Sequence, residues 1–298
     1  MARDRDLALE AADAGGEEAA RPEPSLWRLV LANRAVFWGG LLLVVMVAVA
    51  LVGPAFTGDP MAINPIQRLK PPSAAFPFGT DFLGRDLLAR VVYGARISLA
   101  VGLAVAVIAI SVGLVLGMIA GYVRALDAVV MRVMDGLMAI PGILLAIALI
   151  SLSGATLLTV IVAIVIPEIP RVVRLVRSVV LTVREEPYVE AAIAAGTRLP
   201  WILIRHVLPN TVAPLIVQAS YISGSAMLTE SILGFLGAGI PPEIPSWGNI
   251  MSEGRTYFQL SPWIIFFPGV ALALTVLAVN TVGDGLRDTL DPRIARKM

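Results

Sequence analysis

Glu190-Ala191-Ala192-Ile193-Ala194-Ala195-Gly196 runs into Thr197-Arg198-Leu199-Pro200-Trp201 and then Arg205-His206-Val207-Leu208-Pro209. Four of the six residues from Glu190 to Ala195 are alanine, the strongest helix former, and their methyl groups leave a surface without long side chains. Gly196 suits the left-handed conformation that closes a helix and turns the chain. Pro200 suits the first turn of a second helix, and Pro209, which disfavours helical geometry at Leu208, is expected to end it. The stretch reads as a small-residue helix, a glycine turn and a second short helix, set in the longest polar interruption of an otherwise apolar half-chain.

The surroundings follow from composition. Over 298 residues the chain is 57% hydrophobic and 15% charged, where a soluble domain carries about 25% charged residues. Apolar runs reach the roughly 20 residues that a bilayer crossing needs. The fold class is therefore an all-α polytopic membrane protein. The net charge of +1 is dispersed among loops and indicates no nucleic-acid partner. The absence of cysteine excludes disulfides and Cys metal sites, and the single histidine, His206, excludes a His cluster.

Six spans are expected. The first covers about 35–54, with Trp27 and Trp38 as interface anchors. A loop rich in proline follows (Pro60, Pro65, Pro71, Pro72, Pro77), leading to a short amphipathic helix over Leu87–Tyr93 that Thr80 or Asp81 would cap. The second span, about Ile97–Tyr122, carries Gly113, Gly117 and Gly121 four residues apart, a spacing that admits close approach of another helix. The third is about Met131–Leu152, with Pro141-Gly142 inside it. The fourth starts near Ala155 and must continue, kinked, through Pro167-Glu168-Ile169-Pro170. Beyond it Arg171, Arg174 and Arg177 fall along one helix face. The fifth is about Val212–Leu236 and the sixth about Trp263–Val282. The corresponding division is a tail 1–34, a first transmembrane helix 35–54, an external loop with its helix 55–94, a five-helix core 95–285 and a tail 286–298.

With six spans both termini share one side. Seventeen of the 23 Lys and Arg residues lie on that side and six on the other, which by the positive-inside rule places the termini and residues 181–210 in the cytosol. The first 24 residues are charged and rich in Ala, Gly and Pro, unlike a cleavable signal, and read as a disordered cytosolic tail.

The cytosolic stretch holds no catalytic constellation, and its shape is that of a compact knob. Its Glu-Ala-Ala, three residues, Gly arrangement resembles the EAA loop of ABC-type importer permeases, and the likeness continues through Arg205-His206-Val207-Leu208-Pro209-Asn210. Gly79-Thr80-Asp81 through Gly84-Arg85-Asp86, Tyr93-Gly94-Ala95-Arg96-Ile97-Ser98-Leu99, Leu233–Gly239, Pro245-Ser246-Trp247-Gly248 and Gly283–Asp288 resemble the dipeptide/oligopeptide (peptide/nickel) class, and within it the C-type subunit. The likeness covers about residues 28–292. Pro167-Glu168-Ile169-Pro170 departs from it, since relatives show an aromatic-rich stretch there.

The resemblance implies the type I ABC importer permease fold. It also implies a heterodimer with a second, B-type permease, two ATP-binding subunits and an extracytoplasmic solute-binding protein, in a bacterial or archaeal cytoplasmic membrane. No Gly-x-x-x-x-Gly-Lys-Ser/Thr motif is present, so this chain is expected to be no enzyme, with no cofactor of its own and with ATP and Mg in the partner subunits. The solute would be a di- or oligopeptide. Nickel complexes or another peptide-like solute are the alternative within the class, and a proton-coupled secondary transporter the alternative outside it.

The loop 184–209 would dock the ATPase through Glu190, Ala191, Ala192, Gly196, Arg205, His206, Leu208 and Pro209, with Glu190 either pairing with a basic ATPase residue or capping its own loop. Among ionisable membrane residues, Glu230, amid Ser223 and other hydroxyls, is a candidate for the translocation path. Asp135 and Glu168 are further candidates, unless Asp135 only pairs with Arg132 and Glu168 only satisfies a kinked backbone. Outside, Trp247, Tyr257 and Phe258 either receive the binding protein, cover the channel mouth or rest on the neighbouring subunit.

Overall fold

A computed structural model describes residues 33–290. Of the expected tails, residues 1–32, with Trp27, and 291–298 lie outside the described residues, while 286–290 continue the last helix. Among the described residues the regular structure is helical, with one isolated bridge between Thr80 and Asp86.

Helix α1, Arg34–Val52, starts where the Asn33 side chain accepts the amides of Ala35 and Val36 at 2.9 and 3.4 Å. Helix α2, Leu87–Tyr122, is a single helix of 36 residues capped by Asp86. The separate short helix expected over 87–93, and the boundary at 94/95, are not present. Gly94 does not interrupt the helix; it lets Trp247 approach, whose Cδ1 lies 3.2 Å from where a Cβ would stand. At about 1.5 Å per residue α2 is about 54 Å long, so its first turns project beyond a hydrocarbon core of about 30 Å.

The third expected span is not one helix. Helix α3, Arg124–Met138, and helix α4, Gly142–Ser153, meet at 88°. Pro141 has no amide to continue the ladder from α3, and it sits at the N-cap of α4. Helix α5, Leu157–Arg184, opens on a capping box between Thr156 and Thr159 and runs through Pro167 and Pro170 as expected.

Among the described residues four helices are long and apolar enough to cross a membrane, or five if α3 and α4 together count as one span. The remaining expected crossing, the fourth, is α5, which has the length, 28 residues, but Glu168, Arg171 and Arg174 fall within its first eighteen.

After α5 come α6, Pro187–Ala194, and α7, Leu199–Ile202. Pro209 does not end the second helix. A π-helical turn over Leu203–Val207 leads straight into α8, Leu208–Phe235. The wider turn lets the Leu208 amide reach back to the Leu203 carbonyl, and Pro209 falls in the first turn of α8, where a missing amide costs little. Helix α9, Trp247–Arg255, is capped by Ser246, and α10, Trp263–Leu290, is the last helix among the described residues.

Two apolar clusters hold these elements together. One joins α2, α4, α5 and α8 and extends into the 187–207 segment; the other joins α1, the first turns of α2, α9 and α10. The end of α2 carrying Gly121 lies against Val180 near the end of α5. Segment 187–207 and α9 therefore sit at opposite ends of the molecule.

Candidate coupling loop and polar surfaces

Helix α6 closes through two backbone bonds, Thr197 N–H to Ala192 O at 3.0 Å and Gly196 N–H to Ile193 O at 2.9 Å. This is the Schellman arrangement, and it requires Gly196 at φ +77°. Nothing lies within 4 Å of a Cβ placed on Gly196, so the glycine serves the turn and not a close packing contact. Pro200 lies in the first turn of α7 as expected.

The knob is anchored by Val189, Ile202 and Val207, which are buried in the same apolar cluster as Val180 and Val183 of α5. Outward it shows Glu190, Ala191, Ala194 and Arg205, together with Ile193, Leu199, Trp201 and Ile204. Trp201, 63% exposed, is the largest side chain on this face. Ala192 and Leu208 are half-buried and Pro209 is exposed. His206 is half-buried with its ring centroid 5.9 Å from that of Tyr188, and the Asn210 side chain donates to its carbonyl at 2.7 Å. Among the described residues the Glu190 side chain makes no hydrogen bond, so it does not cap its own loop.

The residues expected to line a path scatter. Glu230 is fully buried and accepts from Ser98 at 3.3 Å and Ser231 at 3.4 Å, enclosed by α2 and its own helix instead of facing an open surface. Ser223 lines an apolar groove with Leu43, Leu99 and Leu103, where Gly102 brings α2 close. Asp135 pairs with Arg174 of α5 at 2.6 Å and not with Arg132, because α3 leans along α5. Arg177 likewise grips Asp127. A polar cleft lies elsewhere, where the α3–α4 break faces Glu168 and Arg171 of α5 and Ser225 and Thr229 of α8.

At the opposite end Trp247 is fully buried, its Nε1–H donating to the Val91 carbonyl at 3.0 Å, so it offers no docking surface. Tyr257 stacks on Phe82 at 5.4 Å and accepts from Arg68 at 3.4 Å, while Phe258 is exposed. Beneath them lies an ionic network outside the expected site residues. Asp81 takes Arg85 at 2.5 Å and Arg90 at 2.8 Å, and both arginines also hold Glu253 of α9. The sequence signal for it was the Gly79–Asp86 motif, but Glu253 is 163 residues from Arg90. Among the described residues no group of three or more His, Cys, Asp or Glu side chains is placed to hold a metal.

Residues 113–296 match the family described as the binding-protein-dependent transport system inner membrane component. The chain belongs to that family. This permease is 52% identical over 270 residues to a probable peptide ABC transporter permease protein, y4tQ, of Sinorhizobium fredii, covering 91% of this chain and 93% of the relative. It is 41% identical to the dipeptide transport system permease protein DppC of Alkalihalophilus pseudofirmus (88% and 87% covered) and 38% identical to the glutathione transport system permease protein GsiD of Pectobacterium atrosepticum (92% of each). Its fold is similar to that of a chain of the inward-facing MetNI methionine ABC transporter, with TM-score 0.51, 23% identity and coverage of 70% of this permease and 95% of that chain. The permease is thus a multi-pass membrane component of an ABC importer.

Proposed function

We propose that this permease carries peptides inward, forming the translocation path with a second permease and taking its drive from two ATP-binding subunits that grip the 184–209 knob. The observation that carries the reading is the knob itself: a rigid, glycine-closed turn anchored by Val189, Ile202 and Val207, with Trp201 and Ile204 exposed to fit a groove. Because the sequence has no P-loop, ATP and Mg bind the partner subunits, and closure of the ATPase pair moves the knob as a lever between inward-open and outward-open arrangements. The termini and the knob face the cytosol, and an extracytoplasmic binding protein delivers the solute at the α9 end. The substrate class rests on the relatives, whose names include peptide, dipeptide and glutathione transport.

The test is copurification with an ATPase and uptake of a labelled dipeptide into reconstituted vesicles. Uptake is expected to require ATP and the binding protein. Proton-driven uptake by this chain alone would overturn the proposal.

A further inference from the structure

The cleft between the α3–α4 break, α5 and α8 has a volume of about 310 Å³, at the small end of ligand pockets, which run roughly 300–1,000 Å³. Its lining combines Glu168, Arg171, Ser225 and Thr229 with Pro141 and Gly142. The break is held at this level by close packing, since a Cβ on Gly142 would lie 3.2 Å from that of Pro167.

Two opposite charges face the cleft without being committed to each other. Arg171 Nη1 reaches Glu168 at 3.3 and 3.5 Å, long for a charge-assisted bond of about 2.7–2.9 Å. On the same helix Arg174 and Arg177 hold their aspartates at 2.5–2.6 Å. Among the described residues Arg171 Nη2 and Nε make no hydrogen bond, and the guanidinium lies 5.8 Å from the Tyr221 ring centroid. The Glu168 side chain is 11% exposed and that of Arg171 46%. Ionisable groups within a span are costly and mark functional surfaces.

Helix α4 adds a second anion-seeking group. It has no side-chain cap, and among the described residues the Gly142 and Ile143 amides have no hydrogen-bond partner. Such amides favour a carboxylate at a helix N-terminus.

We propose that this cleft is a substrate-contact site of the translocation path and that it takes a zwitterionic peptide. Glu168 accepts the peptide ammonium, Arg171 and the open end of α4 take its carboxylate, and the Ser225 and Thr229 hydroxyls meet the amides between. A zwitterion exchanges one long Glu–Arg contact for two contacts of opposite sense, and brings no net charge into the membrane. The inference rests on the peptide-importer reading above.

The chain contains no cysteine, so Ser225→Cys gives a single thiol in this subunit. In the complete transporter turning over ATP, that thiol is labelled from the cytosolic side in the presence of tri-alanine, N-acetyl-tri-alanine or tri-alanine amide. At twice its dissociation constant tri-alanine slows labelling about threefold, and each capped form protects much less. In Glu168→Gln, tri-alanine protects no better than its N-acetyl form, and Glu168→Asp restores the difference. Equal protection by all three peptides, or none, would overturn the proposal and leave Glu168 and Arg171 a structural pair. The comparison of capped peptides carries the test should Glu168→Gln fail to fold. Tri-alanine uptake by the wild-type transporter is measured alongside. Uptake without protection refutes the cleft alone; no uptake refutes the peptide reading and the cleft with it.

Discussion

Gly117 of α2 lies so close to Val176 of α5 that a Cβ added to the glycine would stand 2.6 Å from the Cβ of the valine. The same relation repeats one turn either side, Gly113 against Val172 and Gly121 against Val180. A row of glycines four residues apart therefore receives a row of valines four apart, and the two backbones approach as small-residue faces allow.

Gly117→Ala is expected to destabilise the protein by about 1–3 kcal/mol through overpacking. Gly136, inside α3 with nothing within 4 Å of its Cβ position, is the contrast: Gly136→Ala removes backbone freedom and is expected to stabilise by about 0.5–1 kcal/mol. Thermal unfolding in detergent checks both, and shifts of the same sign would sink the packing account.

The ionic network under the α9 end gives a second contrast. Glu253→Ala leaves Arg85 and Arg90, 4% and 0% exposed, sharing Asp81 alone, and a broken buried pair costs about 3–5 kcal/mol. Arg174→Ala removes an exposed pair with Asp135 and is expected to cost no more than about 1 kcal/mol. Unfolding midpoints measured side by side decide; equal losses would mean that the network is not buried as described.

Gly196→Ile tests the knob. A β-branched residue at φ +77° is strained, so the turn between α6 and α7 must re-form although no neighbour is struck. Membrane insertion and subunit assembly are expected to persist while uptake separates from ATP hydrolysis. Unchanged uptake by reconstituted vesicles would remove the lever argument.

Trp247→Phe bears on the α9 end. The substitution keeps most of the buried ring and loses the bond to Val91, a loss of about 1 kcal/mol. Because the side chain is enclosed, stimulation of the ATPase by the binding protein is expected to stay unchanged. A selective loss of that stimulation at full stability would return Trp247 to the docking surface.

Much of this architecture is legible in local chemistry. The Gly196 turn, Pro200 in the first turn of α7, the passage of α5 through its prolines and the Gly113–Gly121 stripe all follow from what single residues permit. Length misled at two places. Residues 131–152 are apolar enough to read as one span, yet they divide at Pro141, which has no amide to continue the ladder from α3 and stands at the N-cap of α4. Residues 87–93 look separable, yet α2 runs on through Gly94, against which Trp247 packs.

What the sequence by itself determined was the class: an apolar, helical, multi-pass chain whose motifs, in order, place it among importer permeases. Local propensity and composition are enough for the apolar, helical class, since each depends on neighbours a few residues away, and the resemblance of the motifs supplied the family. Only the tertiary structure decided which charges meet and which face open space. Asp135 found Arg174 and not Arg132, Glu230 closed in on Ser98, and Trp247 turned inward. Glu168, placed by its sequence between two prolines, opens on a cleft with Arg171. Those partners come from other helices, or from the shape that other helices enclose, and spacing along one helix carries no information about either.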